Sequence, residues 1–381
     1  MDGRKPLVFI SAAEPSADLH GAALIRATLR LCPDTRFVGV AGPKMAAAGC
    51  DRIYDFSQHS AMLLGAIGAA GRAISMLTTC ENHLRRYPFD AAVVIDSPTL
   101  HLPLAAKAHA IGVPVLYYIA PQMWAWGAYR IHKLRNNADR VAVILPFEEE
   151  YFRSQGVDAT YVGHPLAEGH ESGMIAAGGI DGIRSCDRPV VALLPGSREH
   201  VVREVLSGQM RVAEAIAAEL PNATFGVSVA NRQVEREINN VAAASTVPVG
   251  LWPDNNAALI RAASLALVAS GTATLDVALH GTPMIVMYNA SRLFYQLVGR
   301  WMVRVPYLSL PNILAGREIV PEYMPYYRST APIAKHAIEL LRSEEALRKM
   351  RADLAEMVEP LRRPRASERT AEMLIELATH G

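Results

Sequence analysis

Leu265-Ala266-Leu267-Val268-Ala269-Ser270-Gly271-Thr272-Ala273-Thr274-Leu275-Asp276-Val277-Ala278 is the stretch whose reading decides how this chain folds. Leu265 to Ala269 is an apolar run of strand length, Ser270 to Thr272 a turn of small residues, and Ala273 to Leu279 the opening of a helix. A strand that feeds a helix through small residues leaves the first helical N–H groups free and aims the positive end of the helix dipole above the sheet. That is an anion site in outline, and a nucleotide diphosphate fits it. The competing reading is that Ser270 and Thr272 only cap a helix in an ordinary α/β crossover.

Outward from this unit the same alternation recurs in both directions. Upstream, Leu7 to Ser11, Arg36 to Val40, Ala91 to Ile95, Val113 to Ile119 and Arg140 to Leu145 read as strands, with helices starting near Ala17 or Asp18 and at Met45. Around the central unit, Pro189 to Leu194, Thr224 to Val229, Val247 to Leu251 and Met284 to Tyr288 supply further strands, and a helix runs from about Val202 to Leu220. Strands alternating with helices predict an α/β chain of two doubly wound, Rossmann-like parallel sheets. Between them the sequence loosens, with Gly169, Gly173, Gly178, Gly179 and Gly182 close together. The expected division is therefore 1–167 as one domain, 168–187 as a linker and 188–342 as a second domain. The charged helices of 343–381 are expected to pack back on the first.

Composition narrows the class. The 381 residues are 51% apolar and 20% charged with a formal net charge of +1, which argues against overall electrostatic capture of nucleic acid. Cys32, Cys50, Cys80 and Cys186 lie far apart without a C-x-x-C, so neither a disulfide framework nor a zinc site is expected, and a reduced cytoplasm fits. Leu7 to Ser11 is too short for a signal peptide, and no apolar run reaches the roughly 20 residues of a membrane span. The expectation is a soluble or peripheral protein. Neither G-x-x-x-x-G-K-[ST] nor G-x-G-x-x-G occurs, which disfavours a P-loop enzyme or a Rossmann dehydrogenase.

Four loops fall at the carboxyl ends of the expected strands, where open α/β sheets place ligands. The first, Ser11 to Asp18, carries Glu14, Ser16 and Asp18; Ser16 or Asp18 serving only as an N-cap is the alternative. The second is Asp96-Ser97-Pro98. A carboxylate ending a buried strand is costly unless paired or used, so Asp96 is either a general base or a turn cap. The third joins Trp124 and Trp126 to Arg130, Lys133 and Arg135, an apolar wall beside positive charge that suits a phosphorylated, greasy ligand. In the fourth, Gly196 and Ser197 lead to Arg198, whose planar fork suits phosphate oxygens held at Ser270, Gly271 and Thr272. His20, His101, His164 and His280 lack metal-ligand spacing and read as hydrogen-bonded structural residues. Ala61 to Thr79, with Met62 among its apolar residues, is either an interfacial or acyl-binding helix or a buried one.

Two such domains facing a cleft resemble B-type glycosyltransferases, an architecture shared with sugar-nucleotide epimerases. The sequence is also similar to one family, lipid-A-disaccharide synthase, from about Leu7 to Pro325. The elements in order are Glu14-x-Ser16-x-Asp18-Leu19-His20-Gly21, Phe37-Val38-Gly39-Val40-Ala41-Gly42-Pro43-x-Met45, Ile95-Asp96-Ser97-Pro98, Pro121-x-x-Trp124-Ala125-Trp126 and Pro146-Phe147-Glu148. Val162-Gly163-His164-Pro165, Leu194-Pro195-Gly196-Ser197-Arg198, Ala269-Ser270-Gly271-Thr272-Ala273 and Ser309-Leu310-Pro311-Asn312-Ile313-Leu314-Ala315-Gly316-Arg317 complete the series. Departures from the family pattern are Ala13 and Ala17 for glycine, Thr99 for aspartate, Gly127 for arginine and Asp276 for glutamate.

The resemblance implies an inverting, metal-independent transfer of a diacylated glucosamine from its UDP conjugate to the 6-hydroxyl of diacylglucosamine 1-phosphate, with no cofactor. It implies that Asp96 is the base, that Arg198 and Asn312 are essential, and that Gly196, Ser197, Arg198, Ser270, Gly271, Thr272 and Asp276 bind UDP. Glu14, Ser16, Asp18, Met62, Trp124 and Trp126 would serve the acceptor and lipid side. It further implies a peripheral protein on the cytoplasmic face of an inner membrane; a homodimer is compatible with the sequence. A paralogue with another acceptor, and a non-catalytic lipid- or nucleotide-binding protein, are the remaining readings.

Overall fold

The computed structural model describes residues 5–55, 66–125, 127–171, 188–253, 256–289 and 306–380. The chain forms two compact units, Met1–Glu168 with Pro360–Gly381, and Gly169–Glu359.

The first unit runs β1 (Leu7–Ala12), α1 (Pro15–Leu31), β2 (Arg36–Val40), α2 (Pro43–Ala47), β3 (Cys50–Tyr54), α3 (Ala66–Arg86), β4 (Ala91–Ile95), α4 (Pro98–Ala110), β5 (Val115–Tyr118), α5 (Ile131–Asn137), β6 (Arg140–Val143), α6 (Pro146–Ser154) and β7 (Ala159–Tyr161). Helix α7 (Pro165–Glu171) leads out of it. Its seven strands lie in the order β3-β2-β1-β4-β5-β6-β7, with every adjacent pair parallel. Continuous apolar runs such as Ala91–Ile95 form the central strands because helices cover both faces of the sheet. Alternate residues enter opposite layers: Phe9, Val94 and Tyr117 pack into one core, and Ile10, Val93 and Tyr118 into the other. Each large apolar side chain fully buried in these layers contributes about 1.5–3 kcal/mol. Gly39 is dictated by the β1–β2 approach, since a Cβ there would lie 1.8 Å from the Ile10 carbonyl oxygen.

The second unit repeats the plan with β8 (Val190–Leu194), α8 (Glu199–Glu219), β9 (Thr224–Val229), α9 (Arg232–Ala243), β10 (Gly250–Pro253), α10 (Asn256–Ala262), β11 (Leu265–Ala269), α11 (Thr272–Leu279), β12 (Met284–Met287), α12 (Leu310–Ala315), β13 (Glu322–Tyr323), α13 (Ala331–Arg342) and α14 (Glu344–Val358). Its strand order is β10-β9-β8-β11-β12-β13. Each sheet reverses direction of build at one point, between β1 and β4 in the first and between β8 and β11 in the second. Open α/β sheets bind ligands outside the strand ends at such switch points. The loops after β1, β4, β8 and β11 all lie there.

The last helix, α15 (Ala366–His380), packs on α1 and closes the second apolar layer of the first unit with Ala371, Met373 and Leu374. The return begins at Pro360, whose carbonyl accepts from Tyr161 Oη at 2.8 Å. Helix α14, read from the sequence as part of the returning tail, instead packs on α11, α12 and α13 of the second unit. Its buried stripe of Leu347, Met350 and Leu354 has its partners there. Gly163 explains how the return is seated: a Cβ on it would lie 1.8 Å from the Pro364 carbonyl oxygen.

Three strands were not expected from the sequence: β3, β7 and β13, all of them short. Edge strands need not carry a buried apolar run, and in β3 Asp51 and Arg52 are exposed. The strand expected over Val247 to Leu251 forms at Gly250–Pro253, because pairing with β9 sets it: Gly250 opposes Gly226 and Leu251 opposes Val227. Helix α1 starts at Pro15, ahead of Ala17, since a proline in the first turn gives up no hydrogen bond there. Of the expected linker, residues 168–171 belong to α7 and 172–187 lie outside the described residues. No helix among the described residues is long and apolar enough to cross a membrane.

Candidate functional site

At the first switch point, β4 ends in a strained turn. Asp96 and Ser97 have φ of 54° and 44°, the left-handed region that non-glycine residues rarely enter. Pro98 then opens α4. The Asp96 N–H donates to the Tyr118 carbonyl at 3.0 Å. The Asp96 carbonyl accepts from Tyr117 Oη and from His101 Nδ1, each at 2.8 Å. A carbonyl only accepts, so the His101 proton is on Nδ1, and Nε2 accepts from Ser11 Oγ at 2.9 Å. Burial pushes the His101 pKa down to about 4, which keeps the ring neutral.

The Asp96 carboxyl is half-buried, and its proton affinity is raised by burial and by the nearby Glu14 charge, while a bond from the Ser97 N–H opposes the rise. Glu14 comes from the loop after β1 and accepts from Ser97 Oγ at 3.4 Å. The first and second loops thus meet across the switch point, and a carboxylate whose pKa is raised is suited to take a proton from a hydroxyl. Ser16 is exposed on the first turn of α1. Asp18 does not join them. Its buried carboxylate accepts from the backbone N–H groups of Gly42, Lys44 and Met45, each at 3.0 Å, and so caps α2 rather than α1.

In the third loop Trp124 packs edge-on to Phe147 with ring centroids 4.9 Å apart, and its Nε1 donates to Glu148 at 2.9 Å. The other Glu148 oxygen accepts from Ile144 and Leu145 N–H at 3.2 and 3.1 Å, and burial raises the Glu148 pKa to about 7. Gly127 takes φ 80° and leaves room that the Arg130 guanidinium fills, 2.6 Å from where a Cβ would stand. Trp126 and Met62 lie outside the described residues. In α3 Ile74 is exposed while Met76 is buried and Leu77 packs against the core, so this part of the Ala61 to Thr79 stretch presents one face to the core.

At the second switch point a cavity of about 320 Å³ opens between the ends of β8 and β11, within the range of small-molecule sites. Gly196, Ser197, Arg198, Ser270, Gly271, Thr272 and Asp276 all line it. Gly271 sits at φ 140° and ψ −162°, a backbone open essentially to glycine alone, and a Cβ there would meet nothing within 4 Å. Thr272 begins α11 directly behind it, so free N–H groups face the cavity. Arg198 is exposed just before α8. Burial raises the Asp276 pKa, and its buried Oδ1 makes no hydrogen bond among the described residues, with His280 Nδ1 3.6 Å away.

Asn312, which the resemblance implied to be essential, lies inside the second unit. It is fully buried, its Nδ2 donates to the Val320 carbonyl and Glu322, both at 2.9 Å, and its Oδ1 accepts from Ile319 and Val320 N–H at 2.8 and 3.0 Å. With all four hydrogen bonds of its amide made inside the protein, Asn312 ties α12 to β13. The contacts that sequence reading did not single out are Tyr117, Ser228 and Asn256, the last two lining the cavity. Glu148 entered only as part of Pro146-Phe147-Glu148, the acid at the third position of a helix opened by proline, without its bond to Trp124.

The family model described as Lipid-A-disaccharide synthetase matches residues 8–377. The chain is 35% identical over 375 residues to the lipid-A-disaccharide synthase of Syntrophus aciditrophicus (strain SB), covering 97% of each. It is also 35% identical over 379 residues to that of Myxococcus xanthus (strain DK1622), covering 99% of this chain and 98% of the relative. Among solved structures, the S. aureus MnaA-UDP co-structure matches with a TM-score of 0.67 at 12% identity over 99% of this chain and 98% of that one. Acinetobacter baumannii MurG matches with a TM-score of 0.58 at 12% identity over 97% and 99%. These two show the fold, the B-type glycosyltransferase architecture expected from the alternation of strands and helices. The match to the family model over nearly all of its length shows that the chain belongs to the lipid-A-disaccharide synthase family, glycosyltransferases of lipid A biosynthesis.

Proposed function

We propose that the chain transfers a diacylated glucosamine from its UDP conjugate to the 6-hydroxyl of diacylglucosamine 1-phosphate, with inversion and without a metal. The observation that carries the reading is Asp96, a half-buried carboxylate of raised pKa at the switch point of the first sheet. In this reading Asp96 takes the O6 proton of the acceptor as O6 attacks the anomeric carbon. The O6–C1 bond forms as the bond from C1 to the diphosphate oxygen breaks, through an oxocarbenium-like state. A single displacement inverts the anomeric centre. UDP leaves with the bonding electrons, and its growing negative charge is met by Arg198 and the N–H groups at the start of α11, which supply the charge stabilisation a metal would otherwise give. Asp276 holds a ribose hydroxyl.

The acceptor side is assigned to Glu14, Ser16 and Trp124 of the first unit, and the donor to the second. Attachment to the cytoplasmic face of the inner membrane is supported by Ile74 and Tyr129, large side chains left 65% and 75% exposed, the latter with Arg130 against its ring. The test is to incubate the purified protein with both substrates and follow the product by mass and by anomeric NMR, with and without a chelator. A β-linked disaccharide formed at equal rate under both conditions is expected. An α-linked product would remove inversion, chelator sensitivity would remove metal independence, and UDP release only with a different acceptor would identify a paralogue.

A further inference from the structure

We propose that Tyr117 and His101 are positioning residues that clamp the Asp96–Ser97 turn through one backbone carbonyl and so aim the Asp96 carboxylate. The proposal rests on Asp96 being the base. Two consecutive non-glycine residues at positive φ persist only where the surroundings over-determine them. Here three elements converge on the turn. Tyr117 comes from β5 and His101 from α4, each 2.8 Å from the Asp96 carbonyl, and Ser11 at the end of β1 fixes the His101 ring. Tyr117 and His101 are both fully buried, so neither donor is shared with water.

Both donors also keep their protons in place. Burial, with the Asp96 charge, raises the Tyr117 pKa, and burial lowers that of His101, so the phenol stays protonated and the imidazole neutral. The charged groups acting on this cluster are Glu14 from the β1–α1 loop, felt by Asp96, and Arg130, felt by Tyr117. The Ser97 N–H stabilises ionised Asp96. If the clamp is released the turn relaxes and that N–H withdraws, so the pKa of the base rises and the acidic limb of the rate profile moves to higher pH.

The test compares Tyr117→Phe, which removes one oxygen; His101→Phe, which removes the second donor; and His101→Asn, whose amide offers an N–H near the position of Nδ1. Rates with both substrates are measured from about pH 5 to 9, with thermal unfolding and UDP affinity as controls. Tyr117→Phe and His101→Phe should lower kcat by on the order of ten- to a hundredfold with UDP affinity unchanged, because misplacing a reacting group by about 1 Å has that effect. The acidic limb should move up, and His101→Asn should recover most of the loss. If His101→Phe does not fold, Tyr117→Phe and His101→Asn decide. A Tyr117→Phe enzyme with native kcat and pH profile overturns the clamp. Asp96→Asn separates the two ideas: if it is inactive while Tyr117→Phe is normal, only the clamp fails, and if it is fully active, the base assignment fails first.

Discussion

Replacing Gly163 by alanine should unseat the C-terminal helix. Gly163 sits at φ 89°, where a Cβ costs about 1–2 kcal/mol in backbone strain. The added carbon would also stand 1.8 Å from the Pro364 carbonyl oxygen, and a Cβ essentially never comes within 3.0 Å of another heavy atom, so the backbone that leads into α15 has to retreat. Overpacking of this kind costs about 1–3 kcal/mol, which gives roughly 2–5 kcal/mol in all. Gly112 provides the control: its φ is 79°, yet a Cβ on it meets nothing within 4 Å, so alanine there carries the strain alone. Amide exchange read on peptides from 366–380, beside urea unfolding, separates the two effects. Gly163→Ala should lose roughly 5- to 150-fold more protection in α15 than Gly112→Ala, the worth of about 1–3 kcal/mol at 1.4 kcal/mol per factor of ten. Equal losses would mean that the 163–364 contact does not hold the return in place.

Arg198→Ala should weaken UDP binding by roughly 10- to 150-fold, the worth of a charge-assisted hydrogen bond of about 1.5–3 kcal/mol, with Arg198→Lys recovering part of it; unchanged calorimetric affinity would remove Arg198 from the donor site. Asn312→Ala should cost roughly 2–5 kcal/mol of stability, because the buried Ile319 and Val320 N–H groups lose their acceptor, while UDP affinity below the melting point stays near native. A stable but inactive Asn312→Ala would restore a direct role. His101 and His164 are buried, with pKa values held down to about 4 and about 3. The unfolded chain therefore takes up protons first, and stability of the first unit should fall as pH drops from 6.5 toward 4. Stability that is flat over that window in urea titrations would contradict their burial as neutral rings.

Much of the fold was legible because both sheets are parallel and covered on two faces. Ala91–Ile95, Val190–Leu194 and Leu265–Ala269 are buried along their whole length, and only such a position produces an unbroken apolar run. Edge strands escaped because pairing rather than burial sets them: β3 carries Asp51 and Arg52, and the register of β10 is fixed by Gly226. The four loops were legible because they follow central strands at the switch points. What the sequence could not show is where each polar group finds its partners. Asp18 and Glu14 stand four residues apart, yet three backbone N–H groups claim the first and leave the second beside Asp96. Nothing in the sequence around Asn312 shows that its amide hydrogen bonds all run inward, to Ile319, Val320 and Glu322. Nor could the sequence show that the glycine of Val162-Gly163-His164-Pro165 serves the seat of α15 rather than a ligand.

The rate of disaccharide formation by Asp96→Asn, set beside its affinity for UDP, tests the central claim most directly. A positioned base contributes about 10²- to 10⁴-fold, so the variant should lose that much in kcat while binding UDP as the native chain does. A variant that makes disaccharide at the native rate would show that the proton leaves by another route, and Asp96 would revert to a carboxylate that ends a strand.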